Sequence, residues 1–166
     1  MLLFVCLNTY AALWHLPGFI LISTPTGKRT IDQIHIDDFV LTPQGIAKVL
    51  MISSHLTTRY LHIETEGPSL DITLDHLVYI ADSQSWTIAD GLLEGDFLLH
   101  ENGHLRVLSI TTVYEPLRVY SIQTQTFYAN GFLVSTNAFK RQYELSRIKI
   151  KSSFEHATSS KSLKLP

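Results

Sequence analysis

IDQIHIDDFVLTPQGIAKVLMI (residues 31–52) and ADGLLEGDFLLHENGHLRVLSI (residues 89–110) are two readings of one pattern, in step at an offset of 58 without a gap. Eight of the 22 positions are identical: Asp32/Asp90, Asp38/Asp96, Phe39/Phe97, Leu41/Leu99, Gly45/Gly103, Val49/Val107, Leu50/Leu108 and Ile52/Ile110. Ile34/Leu92, Val40/Leu98 and Lys48/Arg106 keep their chemistry. A pattern present only twice is not a solenoid, whose units must stack three or more deep. It predicts a duplicated β unit folded into one pseudo-symmetric domain. Within each copy a tight acidic turn (32–38, 90–96) launches an apolar strand, a glycine turn at Gly45 or Gly103 reverses the chain, and Val49–Ile52 or Val107–Ile110 returns it. Each copy is thus a predicted β-hairpin, and the two pack their apolar faces about a pseudo-twofold axis.

The rest of the chain speaks in the same short runs. Phe19–Thr24, Phe39–Leu41, Ala47–Ser53, Tyr60–Glu64, Asp71–Ile80, Phe97–Leu99, Leu105–Val113, Arg118–Gln123 and Gly131–Val134 each fit a strand. Turn signals separate them, among them Thr26-Gly27, Pro43-Gln44-Gly45, Gly67-Pro68 and Ala129-Asn130-Gly131. The strands follow one another too closely for crossover helices, which disfavours a parallel α/β sheet. The expected fold is all-β and largely antiparallel.

Length and charge narrow the class further. A chain of 166 residues with 45% hydrophobic and 17% charged residues holds one ordinary domain with a real core. Its small net charge of −2 is not that of a nucleic-acid binder. Residues 1–137 carry 6 Lys/Arg against 13 Asp/Glu, whereas residues 138–166 carry 7 against 2. The chain therefore reads as an acidic body with a basic, Ser-rich tail, a solvated end or a contact for a membrane surface or acidic partner. Cys6 is the sole cysteine, so no intrachain disulfide forms. Residues 1–14 read as an apolar leader or the remnant of an upstream segment. MLLFVCLNTYAAL has the apolar core of a signal peptide without its basic start, which tilts the expectation toward an extracellular location.

The segment DITLDHLVYIADSQSWTIAD (71–90) holds the best chemical candidates. Thr73 and His76 stand three apart, so in an unbroken strand their side chains face opposite ways. A bulge or turn at Leu74-Asp75 brings them together. Histidine is suited to give or take a proton near neutral pH, and threonine to orient a carbonyl or amide. His35, His62, His100 and His104 show no metal-ligand spacing, so no metal or other cofactor is expected. His55 is expected in a surface loop, and Trp14 and Trp86 in the core.

Several of these segments, taken in order, resemble the blocks of the Hint module, the self-processing domain shared by inteins and the C-terminal half of Hedgehog proteins. ILISTPTGKRTIDQIHIDDFVLT (20–42) resembles its opening strand and "I-x-x-I-x-x-G-D-x-V" block, with Asp37 in place of the glycine. ITLDHLVYI (72–80) resembles its T-x-x-H block. WTIADGLLEGDFLL (86–99) resembles the segment that follows in Hedgehog-type members, and VYSIQTQTFYANGFLVST (119–136) the closing block. The resemblance spans residues 15–137, and Ser135-Thr136, standing where Hedgehog-type members often carry Ser-Cys, favours that branch.

The resemblance implies an autocatalytic activity. In such domains the first residue, usually Cys, attacks the carbonyl just upstream and converts the amide to a thioester by an N→S acyl shift. The histidine of T-x-x-H protonates the departing nitrogen while the threonine holds the strained bond. Thr73 and His76 take these roles here, with the chain's own upstream polypeptide as substrate. The nucleophile does not carry over, because "C-F-x-x-G-T-L-I" aligns with residues 15–22 and places His15 where Cys belongs. An imidazole would close a larger ring, and its acyl product would hydrolyse. Asn137 lacks the neighbouring His and the downstream acceptor that intein splicing uses. The carboxylate that activates the sterol in Hedgehog domains falls near Ser54-His55, where neither residue is acidic, which argues against sterol transfer. The reading is therefore a monomeric Hint-like domain impaired in cleavage. A non-catalytic β-rich binding module with a basic tail is the alternative.

Overall fold

The computed structural model describes residues 14–124 and 126–136; the expectations for Cys6, Asn137, the leader and the basic tail lie outside these residues. Fifteen short strands make up this part of the chain. They are β1 (Leu16–Pro17), β2 (Leu21–Thr24), β3 (Gly27–Thr30), β4 (Phe39–Thr42), β5 (Gly45–Lys48), β6 (Met51–Thr57), β7 (Tyr60–Thr65) and β8 (Leu70–Ile72). Then follow β9 (Leu77–Ile80), β10 (Ser85–Ile88), β11 (Phe97–His100), β12 (Gly103–Val113), β13 (Leu117–Gln123), β14 (Thr126–Ala129) and β15 (Phe132–Ser135). The only helical pieces among the described residues are two 3-10 turns, Ile31–Gln33 and Ala89–Gly91. Every strand pairing is antiparallel. The fold is all-β, as the strand spacing predicts.

The two segments related by 58 residues have the same backbone hydrogen bonds. Ile34 N–H donates to Ile31 O and Leu92 N–H to Ala89 O; Val49 N–H donates to Asp38 O and Val107 N–H to Asp96 O. In each, the aspartate carboxylate closes the launching turn: Asp38 Oδ2 accepts the His35 N–H at 2.8 Å and Asp96 Oδ2 the Leu93 N–H at 2.9 Å. The strand registers correspond as well, Phe39 facing Lys48 and Phe97 facing Arg106. This explains the identical Asp38/Asp96 chemically, since a carboxylate satisfies a turn N–H that otherwise faces water. It also explains Asp37 opposite Gly95. Both sit at positive φ, 74° and 92°, a region where glycine is at ease and aspartate tolerated.

Two long pairings join early strands to late ones. β6, from the first half, pairs with β13 of the second along its whole length, from Met51/Gln123 to Thr57/Leu117. Conversely β12, from the second half, pairs with β7 of the first, with an irregularity between Val107 and Ser109. Both pairings join strands far apart in the sequence, and one core serves the described residues. That core is mainly aliphatic with two phenylalanines, and Ile20, Ile22, Ile31, Val40, Ile63, Ile72, Ile80, Leu98, Phe127, Phe132 and Val134 are at 1% exposure or less. Burial of each such side chain contributes about 1.5–3 kcal/mol.

The structure departs from the sequence reading in places that matter. Asp71–Ile80 is two strands, β8 and β9, because the chain turns at Leu74-Asp75. Ala47–Ser53 is likewise divided between β5 and β6. β1, β3, β10 and β14 were not expected as separate strands; β3 (GKRT) is polar and exposed and shows no apolar alternation. His55 lies within β6, not in a loop. Trp14 is buried at 5% exposure, while Trp86 is half-buried and packs edge-on against Tyr79 across the β9–β10 hairpin, 5.2 Å between ring centres.

Candidate active site

The turn between β8 and β9 is the local device that builds the site. His76 N–H donates to Thr73 O at 3.1 Å, closing Thr73-Leu74-Asp75-His76 into a turn, so residues three apart are no longer on opposite faces of a strand. The turn is anchored on its far side by Ala89 N–H to His76 O and Asp90 N–H to Leu74 O, both at 2.8 Å. The second 3-10 turn thereby supports the T-x-x-H segment from behind.

Thr73 grips the backbone of His15 from both sides. Its Oγ1 accepts the His15 N–H at 3.1 Å and donates to the His15 carbonyl at 2.9 Å, and the Thr73 N–H reaches the same carbonyl at 3.2 Å. Both residues are buried, at 6% and 4% exposure. The nitrogen held by the Thr73 hydroxyl is the one that joins His15 to Trp14.

His76 is fully buried. Its Nδ1 donates to Leu77 O at 3.2 Å, which leaves Nε2 as the lone-pair nitrogen, and Nε2 has no hydrogen-bond partner among the described residues. Burial pushes this imidazole down to about 3; the bond to the Leu77 carbonyl opposes the shift and the nearby His15 ring adds to it. At neutral pH His76 is therefore an uncharged base with a free lone pair. It can take a second proton at Nε2 and pass it on, but at rest it holds only the one on Nδ1.

The three residues singled out in the sequence, His15, Thr73 and His76, are thus brought together by one turn. The other end of the domain arrives at the same place, since Ser135 on β15 pairs with Leu77 on β9 and is fully buried. Thr136, the last described residue, donates from its hydroxyl to Thr124 O. His15 and Ser135, near the two ends of the described residues, thus both meet the Thr73–Leu77 segment.

One neighbour was missed in the sequence. His55 lies edge-on to His15, with 4.1 Å between ring centres and 87° between the planes. The residue pattern of the run Ile52-Ser53-Ser54-His55-Leu56 does not mark it, and only the family resemblance places Ser54-His55 near the site; the contact itself comes from β6, paired with β13. The remaining histidines lie elsewhere: His62 Nδ1 is 2.7 Å from the Asp71 carboxylate across β7 and β8, and His100 packs on Phe132 near the Asn130-Gly131 turn. Gly131 has φ 85°, and a Cβ there would lie 2.1 Å from His100 Nε2, so the turn requires glycine on both counts. Among the described residues no three His, Cys, Asp or Glu side chains are grouped to hold a metal ion.

Among the solved structures similar to this chain are inteins and an intein-like domain. The chain is similar to a bacterial intein-like domain from Clostridium thermocellum, with 28% identity over 74% of this chain and 98% of that domain and a TM-score of 0.66. The gp41-1 intein matches at 24% identity over 74% of this chain and 98% of its own, with a TM-score of 0.65. The Msm DnaB1 intein splicing domain, solved with zinc, matches at 17% identity over 74% and 99%, with a TM-score of 0.60. No family model matches the sequence, and no curated protein matches it. The described residues form a Hint domain, the fold of the self-processing inteins and intein-like domains.

Proposed function

We propose that this is an autoprocessing Hint domain that keeps the pocket for activating the Trp14–His15 peptide bond and is impaired in cleaving it. The observation that carries the reading is the Thr73 hydroxyl bonded to the His15 N–H, with His76 beside it. A group that holds the departing nitrogen and a base that can relay a proton to it are two of the three parts an acyl shift needs. The third, a thiol or hydroxyl at position 15, is absent, because His15 stands there. A thiol attacks the upstream carbonyl through a small ring and stores the acyl group as a thioester. An imidazole closes a larger ring, and its acyl derivative is lost to water.

The branch within the family is a separate matter. Ser135-Thr136 and WTIADGLLEGDFLL favour the Hedgehog type, whereas the solved structures named above are inteins and an intein-like domain. The lack of an acidic residue at Ser54-His55 weighs against transfer to a sterol. The upstream polypeptide is the substrate on either branch.

The test is a reporter protein fused upstream of Trp14, with release followed on gels with and without dithiothreitol or hydroxylamine. The chain as it stands releases little or no reporter. His15→Cys restores thiol-dependent release, and His15→Cys/His76→Ala loses it again. A folded His15→Cys chain that releases nothing would overturn the intact-pocket reading. Release by the unaltered chain that His15→Ala abolishes would overturn the impaired one. A parallel reaction with added cholesterol reads out the branch.

A further inference from the structure

His76 poses a problem of proton supply. It is sealed from solvent and held neutral, so any proton it lifts from position 15 or hands to the departing nitrogen must be exchanged with water through another group. Thr73 does not ionise. His55 is the titratable side chain in ring contact with the residue at position 15, and unlike His76 it is half-buried and so keeps a face to solvent.

The fold places it there by register. In the three-stranded sheet β1–β13–β6, Val119 of β13 faces Pro17 on one side and His55 on the other. His15, two residues before Pro17, is one diagonal step from His55 across β13, whose Val119 is fully buried between them. The ring centres are 4.1 Å apart and the planes stand at 87°. The edge of one imidazole therefore rests on the face of the other. The neighbouring elements bring two further groups, His76 from the Thr73–Leu77 turn and Arg118 of β13, whose Nη1 donates to the Ser54 hydroxyl at 3.4 Å.

We propose that His55 is the proton port of the site: a positioning residue that holds the side chain at position 15 edge-on and exchanges its proton with solvent. The purpose rests on the autoprocessing reading; the pair itself rests on geometry alone. In the step, the group at position 15, an imidazolium in this chain or a thiol in His15→Cys, gives its proton to the lone-pair nitrogen of His55 and becomes neutral imidazole or thiolate, while His55 becomes imidazolium. His55 then releases a proton from its other nitrogen to water and returns to neutral imidazole. No other bond forms or breaks.

Two measurements decide this. In the full chain with 15N-labelled histidine, long-range 1H–15N spectra follow the tautomer and titration of the His15 ring in wild type, His55→Phe and His55→Gln. Phenylalanine keeps the edge-to-face contact and removes both nitrogens; glutamine keeps polar atoms but takes up no proton. Both variants shift the His15 midpoint or redistribute its tautomers, by at least threefold in populations at pH 7. An unchanged His15 spectrum in both overturns the proposal. In the second measurement, a Cys6→Ser/His15→Cys chain is alkylated by iodoacetamide across pH. Adding His55→Phe lowers the rate at pH 7 about tenfold and moves the midpoint of the profile upward, and an unmoved profile overturns the port. This arm is independent of cleavage. If His15→Cys is folded but releases no reporter, the autoprocessing reading fails while the alkylation profile still decides the role of His55.

Discussion

Replacing Thr73 by valine tests whether its hydroxyl, rather than its bulk, holds the entry of the chain. Valine keeps the β-branched shape and removes Oγ1. With it go the acceptor for the His15 N–H at 3.1 Å and one of two donors to the His15 carbonyl, the one at 2.9 Å. The carbonyl keeps the Thr73 N–H at 3.2 Å, so the loss falls mainly on the buried His15 amide. A buried donor deprived of its partner costs about 1–3 kcal/mol. Thr73→Ser keeps the hydroxyl and removes one methyl, a loss of about 0.8 kcal/mol of burial. The expected order of stability is therefore wild type, then serine, then valine, with valine some 1–2 kcal/mol below serine. Urea unfolding followed by tryptophan fluorescence measures this directly, because Trp14 adjoins the affected amide. In the His15→Cys background the same pair separates function, since serine retains thiol-dependent release and valine slows it by more than tenfold. Valine as stable as serine, or serine as inactive as valine, would refute the argument that the hydroxyl is what grips His15.

Two further outcomes follow from the backbone and the buried base. Asp37 has φ 74° and an exposed ion pair with Lys48 at 2.7 Å. Asp37→Ala and Asp37→Gly lose that pair equally, so their difference isolates the left-handed backbone; alanine should be the less stable by about 1 kcal/mol in urea unfolding, and equal stabilities would mean that the turn is not left-handed in solution. His76 falls from its ordinary 6.5 to about 3 in the folded chain, so between these values the unfolded state binds a proton that the folded state does not. Its contribution to stability is whole above pH 6.5 and declines as pH falls toward 3, at up to about 1.4 kcal/mol per pH unit. His76→Gln removes that slope. The window from pH 6.5 to 5 is the place to measure it, above most carboxylate titrations, and a variant with the wild-type slope there would show that His76 is not buried neutral.

What the sequence revealed and what it hid divide along the range of the interactions. The hairpins at 31–52 and 89–110 were legible because an Asp carboxylate on a turn N–H, a glycine at positive φ and an apolar return strand are all local requirements, written within twenty residues. Asp37 was visible as a departure from glycine for the same reason, and the turn at Leu74-Asp75 was readable from a polar residue interrupting an apolar run. The grip of Thr73 on His15 spans 58 residues and the contact of His55 with His15 spans 40, and neither leaves a mark on the residues between. The second depends on the sheet that sets β1, β13 and β6 side by side, and the first on the turn that follows β8. Local propensity cannot encode that arrangement; it follows from the pairing of strands far apart in the sequence around one core. The T-x-x-H segment could therefore be named from sequence as a place where chemistry is possible. The contact of His55 with the ring of His15 became visible only once the pairing of β6 with β13 was in place.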